Sequence, residues 1–193
     1  MKKKTIRSKE VTHNRIVEAA SRAIRRSGYS GTGVADIMKS VGLTHGGFYA
    51  HFESRDAMLA EAADRAGAET IALATDLAAS APRGQALERL AQAYLSKAHL
   101  EDIENGCPIA ALGSEMPRQA PEVRHAATCH IKEILNIITQ QFPDREGTDA
   151  TGEALLTMST MVGALILARA VDDPAISETL RQVVIEKLSI LTP

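Results

Sequence analysis

A chain of 193 residues with 45% hydrophobic and 24% charged residues, 13 Gly and 7 Pro has the composition of an ordinary globular protein of one or two domains, which excludes collagen-like, low-complexity and wholly disordered classes. Aromatic residues make up only 3%, too few for the pleated faces of a sandwich or barrel, so the expected class is all-α. The net charge of −2 hides an asymmetry: residues 1–60 carry eleven Lys and Arg against five Asp and Glu, and the remainder eleven against nineteen, a basic end on an acidic body that suits approach to a polyanion or, equally, a solvated basic tail.

The opening MKKKTIRSKE has no apolar segment behind its positive start and is not read as a secretory signal, so a cytoplasmic location is expected. Its Lys2, Lys3, Lys4, Arg7 and Lys9 are either an arm toward a polyanion or a solvated tail. Helix one is expected over about Thr12–Ser27, with Ile16, Val17, Ala20, Ala23 and Ile24 at helical spacing and Ser27-Gly28 as its stop. Thr32 is placed to cap a second short helix through Val34, Ile37, Met38 and Val41, and Gly42 can take the left-handed conformation that turns the chain sharply. Thr44 then caps a third helix with Phe48 and Phe52 on its apolar side, and Ser54 begins a fourth with Asp56 near the positive dipole end.

Two short helices joined by a glycine turn and braced by a longer one are the plan of a helix-turn-helix unit, whose second helix enters the major groove. If Ile37, Val41, Phe48 and Phe52 pack against Ile16, Ala20 and Ile24, the third helix leaves Thr44, His45, Gly46, Gly47, Tyr49, Ala50 and His51 outside. That face offers hydroxyls, imidazoles and lightly covered amides to phosphates or base edges. Pattern alone also fits an ordinary helical pair.

Helical periodicity continues with a long helix over Arg55–Ser80, a break at Pro82-Arg83-Gly84, a helix over Gln85–Leu100, a loop at Glu104-Asn105-Gly106 and a short helix over Pro108–Glu115. After a break at Pro117–Pro121 comes a helix over Glu122–Gln141 with Val123, Ala127, Ile131, Ile134, Leu135 and Ile138 on its apolar face, and Pro143–Thr148 is a surface connection. The last two helices run over about Ala150–Val171 and Pro174–Leu191. The longest uncharged apolar-leaning stretch, Ala154–Ala168, falls short of the roughly 20 residues a bilayer span needs, so no membrane partner is expected. Its small residues suit either pairing of the last two helices across a homodimer or burial inside one subunit.

Two cysteines, Cys107 and Cys129, cannot build a disulfide framework and are expected as thiols. Cys107 begins the short helix, where unpaired amides favour a reactive thiolate; it is a possible sensor thiol for oxidants or electrophiles, or a small apolar filler. His125 and Cys129 share a helix face, but two ligands are not a metal site, and neither a metal nor a cofactor is expected.

The run from Thr32 to Leu59, TGVADIMKSVGLTHGGFYAHFESRDAML, resembles the DNA-binding signature of the TetR (tetracycline-repressor) family of bacterial transcription regulators. The likeness rests on Thr32, Gly42, Thr44, Gly46, Phe48-Tyr49, His51-Phe52 and Arg55, and covers roughly residues 12–60. It implies an N-terminal helix-turn-helix domain over 1–56 and a C-terminal ligand-binding and dimerisation bundle over 57–193. It also implies DNA contacts from Thr32, Thr44, His45, Gly46, Tyr49, His51 and Arg55. Ala50 stands where members often carry an aromatic residue, and Gly47 bares the recognition face, which leaves His45 as the main reader of bases. Gly106–Leu112 resembles the pocket-adjacent helix of one subgroup. No nucleophile elbow, H-E-x-x-H, P-loop or Rossmann fingerprint is found, so no enzyme is expected. The expected partners are double-stranded operator DNA, a small-molecule inducer and a second copy of the chain. The alternative is a small-molecule-binding or protein-interaction helical module without specific DNA binding.

Overall fold

The computed structural model describes residues 2–142 and 147–190, with side chains except those of residues 2–8 and 148. Among them every regular element is helical: α1 (Lys2–Ser27), α2 (Val34–Ser40), a 3-10 helix over His45–Ala50, α3 (Arg55–Ser80), α4 (Ala86–Tyr94), α5 (Lys97–Glu101), α6 (Pro108–Leu112), a 3-10 turn over Met116–Arg118, α7 (Pro121–Thr139), α8 (Thr148–Ala170) and α9 (Pro174–Ser189). The expected connection at 143–148 and the end of the last helix at Leu191 lie wholly or partly outside the described residues.

Helix α1 begins at Lys2 rather than Thr12. Apolar periodicity starts only at Ile16, but the preceding segment contains neither Gly nor Pro and continues the helix on propensity. The stop is as expected: Gly28 takes φ +75° and its amide donates to the Ile24 carbonyl at 2.8 Å. Thr32, by contrast, does not cap α2. Gly33 holds that position, and the Thr32 hydroxyl points back to donate to the Gly28 carbonyl at 2.7 Å. With 3% exposure, Thr32 fastens the turn from inside.

Helix α2 closes in a Schellman motif: the Gly42 amide donates to Lys39 O at 3.0 Å, the Leu43 amide to Met38 O at 2.8 Å, and Gly42 sits at φ +74°. The third element is a six-residue 3-10 helix, with Thr44 at its N-cap making no side-chain capping bond. Gly46 and Gly47 at its centre weaken helix propensity, and the short tight form follows. Ser54 caps α3 as expected, accepting from the Ala57 amide at 3.0 Å.

Residues 85–100 form two helices where one was expected. Ser96 accepts from the His99 amide at 3.1 Å and caps α5, and the His99 ring bonds the Tyr94 carbonyl at 2.6 Å, diverting it from continuing α4.

Helix α3 is the spine, packed along both α1 and α7. Its buried stripe of Ala62, Ala63, Ala66 and Gly67 lets α7 close in, so that a Cβ on Gly67 would lie 2.2 Å from the His130 ring. The head core of Ile16, Ile24, Ile37, Met38, Phe48, Phe52 and Leu59 also takes in Leu112 and Val123, so head and body share packing. Two further clusters fill the body, one around Leu95, Leu165 and Leu188, the other around Leu87, Ile138 and Phe142.

Candidate nucleic-acid interface and ligand cavity

The recognition element is an exposed shell on an apolar anchor. Phe48 and Phe52 are buried and stack with ring centroids 5.4 Å apart, and the His13 ring stacks on Phe52 at 4.5 Å. This anchor turns Thr44, His45, Gly46, Tyr49 and Ala50 to solvent, with Tyr49 71% exposed and edge-on to Phe48 at 5.3 Å. A Cβ on Gly46 would meet nothing within 4 Å, so the bare backbone here serves access rather than packing. Lys39, exposed on the last turn of α2, adds a cation that sequence reasoning passed over.

The other expected contacts are engaged elsewhere. Arg55 donates through Nη2 to the carbonyls of Tyr29 and of Thr32, the latter at 3.2 Å, and so fastens the α1–α2 turn to the start of α3. His51 is half-buried with its Nδ1 covered and unpartnered; burial, then the charges of His13 and Lys9, hold its imidazole below the ordinary value. Thr44, His45, Gly46 and Tyr49 are therefore brought together on one open surface, and Thr32, His51 and Arg55 are turned wholly or partly inward.

The second feature is a cavity of about 350 Å³ in the body, walled by Leu73, Leu77, Ile131, Ile134, Met158 and Val162 among others. Polar groups gather at one end. The Cys107 amide donates to His99 Nε2 at 2.9 Å, which leaves His99 Nδ1 to donate to the Tyr94 carbonyl at 2.6 Å. This fixes a neutral imidazole tautomer, and burial lowers its pKa in the same direction. The Tyr94 hydroxyl is buried with no hydrogen-bond neighbour other than the Cys107 thiol, and its pKa is pushed well above the ordinary value by burial first and by Cys107 second. Arg169 donates to the carbonyls of His99 at 2.5 Å and Leu100 at 3.2 Å, with Nη1 left over. Also on the cavity wall, His130 bonds Asp64 at 3.0 Å through Nε2 and has a buried, unpartnered Nδ1.

Cys107 is buried at this polar end. Helix α6 behind it is a single turn of five residues, too short for the dipole expected from sequence; what surrounds the thiol is Tyr94 and Arg169. Sequence reasoning missed Tyr94, His99 and Arg169 as a cluster, since they lie on three separate elements. His125 and Cys129 do meet, at 3.6 Å, but no group of three metal-ligating residues occurs among the described residues.

Helix α8 corrects the expectation about length. Counted over Asp149–Ala170, it is long and apolar enough to cross a membrane, because a span tolerates the few charged residues that ended the shorter uncharged run. Here α8 packs on α7 and α9, yet Leu155, Leu156, Ile166 and Leu167 remain exposed, beside Ile176 and Val183 of α9.

Residues 16–62 match the model of the bacterial regulatory proteins of the tetR family, and residues 84–184 match the C-terminal domain of LmrA/YxaF-like transcriptional regulators. Among solved structures, a TetR transcriptional regulator from Chloroflexus aurantiacus J-10-FL aligns with 28% identity over 95% of this chain and 96% of that one, at a TM-score of 0.80. A TetR-family regulator from Agrobacterium tumefaciens aligns at 24% identity, 93% and 98% coverage and a TM-score of 0.77. The reduced form of E. coli NemR shares the fold at 17% identity, 90% and 94% coverage and a TM-score of 0.75. Comparison with curated protein sequences gives no match.

Proposed function

The chain belongs to the TetR family of DNA-binding transcription regulators, and from that premise we propose that it is a homodimeric repressor released from a palindromic operator when a small molecule or electrophile fills its cavity. The observation that carries the reading is the recognition element: Phe48 and Phe52 anchor it from below, and Thr44, His45, Gly46 and Tyr49 stand exposed above. Tyr49, Thr44 and the Gly46 amide serve the phosphate backbone; His45 is the side chain placed to read base edges.

Dimerisation follows from α8 and α9. Leu156 is 62% exposed on the open face that α8 shares with Leu155, Ile166 and Leu167, and Gly163, where a Cβ would meet nothing within 4 Å, leaves room for a partner helix. A mate covering this apolar face would set two recognition elements for half-sites about one DNA turn, or a multiple of that, apart.

The cavity asks for an uncharged, mainly apolar ligand. Glu69 on its wall is already paired with Arg25, Asp102 accepts from Asn105, and both His99 nitrogens are occupied. At that end the Tyr94 hydroxyl, beside the Cys107 thiol, and the spare Nη1 of Arg169 are donors that a neutral acceptor such as a carbonyl would satisfy. An α,β-unsaturated carbonyl seated there would place its β-carbon within reach of Cys107. Sulfur bonds to the β-carbon, the π pair moves to the oxygen held by Tyr94, and the thiol proton ends on the α-carbon, with no other reactant.

Electrophoretic retardation of the DNA upstream of the chain's own gene tests the reading. Specific retardation that weakens steeply with salt is expected, altered in sequence preference by His45→Ala and lost in a monomeric Leu156→Glu variant; retardation no better than on random DNA refutes it. Cys107→Ser is expected to abolish release by cinnamaldehyde, and unchanged release would remove the sensor thiol.

A further inference from the structure

One residue of the head grips the cavity wall from behind. Arg25, 3% exposed near the end of α1, donates through Nη1 to the Gly106 carbonyl at 3.2 Å and through Nη2 to Glu69 Oε2 at 2.8 Å. Two more of its donors go to Ser21, Nε to the carbonyl at 3.2 Å and Nη2 to Oγ at 3.1 Å. Glu69 and Gly106 both line the cavity, and Gly106 precedes Cys107.

Two further links run between the same regions. Arg26 Nη1 donates to Glu104 Oε2 at 2.9 Å, and the Tyr29 amide donates to Glu115 Oε2 at 3.0 Å. The stretch 104–115, whose residues 105–109 wall the cavity, is thus tied at three places to the last turn of α1 and the α1–α2 turn. From there Arg55 holds the Tyr29 and Thr32 carbonyls, and α2 leads through Gly42 into the recognition element. Of the three ties, Arg26 to Glu104 is exposed and readily exchanged for water, and the Arg25 fork is buried. A buried guanidinium held by three residues has few alternative arrangements, so it transmits a displacement of Gly106 instead of absorbing it.

We propose that Arg25 is the positioning residue that couples the cavity to the DNA-reading head: an occupant pressing on the Gly106–Cys107 peptide moves the last turn of α1 through the Arg25 fork and carries the recognition element off register. The proposal rests on the cavity being the ligand site. It supplies what coupling requires, one physical element whose position both sites bias.

The test uses the full chain with Cys129→Ser and N-ethylmaleimide on Cys107 as a defined occupant, read by hydrogen–deuterium exchange over residues 24–32. Alkylation is expected to raise exchange there severalfold in the parent. In Arg25→Lys, which keeps the charge for Glu69 but lacks the fork to reach Gly106, less than half of that change is expected. No change in the alkylated parent, or a parental change in Arg25→Lys, overturns the proposal. Should Arg25→Lys fail to fold, Arg25→Gln, too short to reach both Gly106 and Glu69, replaces it, and an undiminished response there is equally fatal. Should the thiol resist alkylation, Cys107→Phe supplies the bulk. Retardation of the upstream DNA by the same samples separates the two readings: no specific retardation by the unalkylated parent sinks the repressor reading alone, and changed exchange with undiminished retardation after alkylation overturns the coupling, because the recognition element has then not left its register.

Discussion

The recognition element and the polar end of the cavity both present polar groups without partners, and they differ in what that costs. Around Tyr49, His45 and Gly46 water completes every hydrogen bond, so the fold pays nothing to display them. His130 Nδ1 is buried, where an unmade hydrogen bond costs about 1–3 kcal/mol, and the Tyr94 hydroxyl has only the weakly accepting Cys107 thiol beside it. A surface of the first kind is invisible to stability and legible only through binding. The second kind destabilises the empty protein and is relieved by whatever completes it, so stability itself reports the ligand.

The sharpest break between anchor and display lies between two adjacent residues. Phe48→Ala removes a buried ring from the head core and is expected to cost about 3–5 kcal/mol in urea unfolding, with DNA binding lost as well. Tyr49→Ala is expected to leave stability within about 0.5 kcal/mol and still weaken retardation of the upstream DNA about tenfold. Equal stability losses at the two positions would mean that Tyr49 is part of the core.

How much of this was readable beforehand follows the range of the interactions. Gly42, Phe48, Phe52 and the Ser54 cap obey rules set within a few residues, and each was placed correctly from the sequence. The failure at Arg55 involves partners far along the chain: nothing local shows that it turns to the Tyr29 and Thr32 carbonyls. The break between α4 and α5 is local, set by Ser96 and His99 within five residues, and was hidden because apolar periodicity runs on through it. The cavity escaped for another reason: Ile134 and Ile138 keep the same spacing whether they face a neighbour or a void, and both readings of α7 share one pattern. Arg25 did leave a trace, lying four residues after Ser21 beside the buried Ile24, an uncommon place for an unpaired cation.

Gly46→Leu sharpens the display side further. A Cβ there meets nothing within 4 Å, so the urea midpoint should not fall and the better helix propensity of Leu should raise it slightly, and a bulky group over the amide should lower affinity for the upstream DNA about tenfold, or about 1.4 kcal/mol. A lowered midpoint would show that the glycine serves the fold. On the buried side Tyr94→Phe is expected to act with the opposite sign to most core changes. Deleting a buried hydroxyl that has only the weak Cys107 thiol for a partner should raise the stability of the empty protein by about 1 kcal/mol in a thermal melt, and weaken whatever stabilisation a carbonyl ligand gives. A loss of stability in the empty protein would mean that the hydroxyl already has its partner.

The smallest effect expected is on the pH dependence. His99 is held neutral by its two hydrogen bonds and its burial, and His51 by burial and the charges of His13 and Lys9, so both titrate below the ordinary value of about 6.5. Below that value the unfolded chain takes up protons that the folded chain refuses. Stability therefore holds above about pH 6.5 and falls as the pH drops toward the folded values, the reverse of what a histidine gaining a carboxylate partner would give. Urea midpoints at pH 7 and pH 5 should differ, and the difference should shrink in His99→Gln, whose amide can both donate to Tyr94 and accept from Cys107 at any pH. An undiminished acid loss in that variant would place the protons elsewhere and detach the neutral tautomer of His99 from the stability of the cavity's polar end.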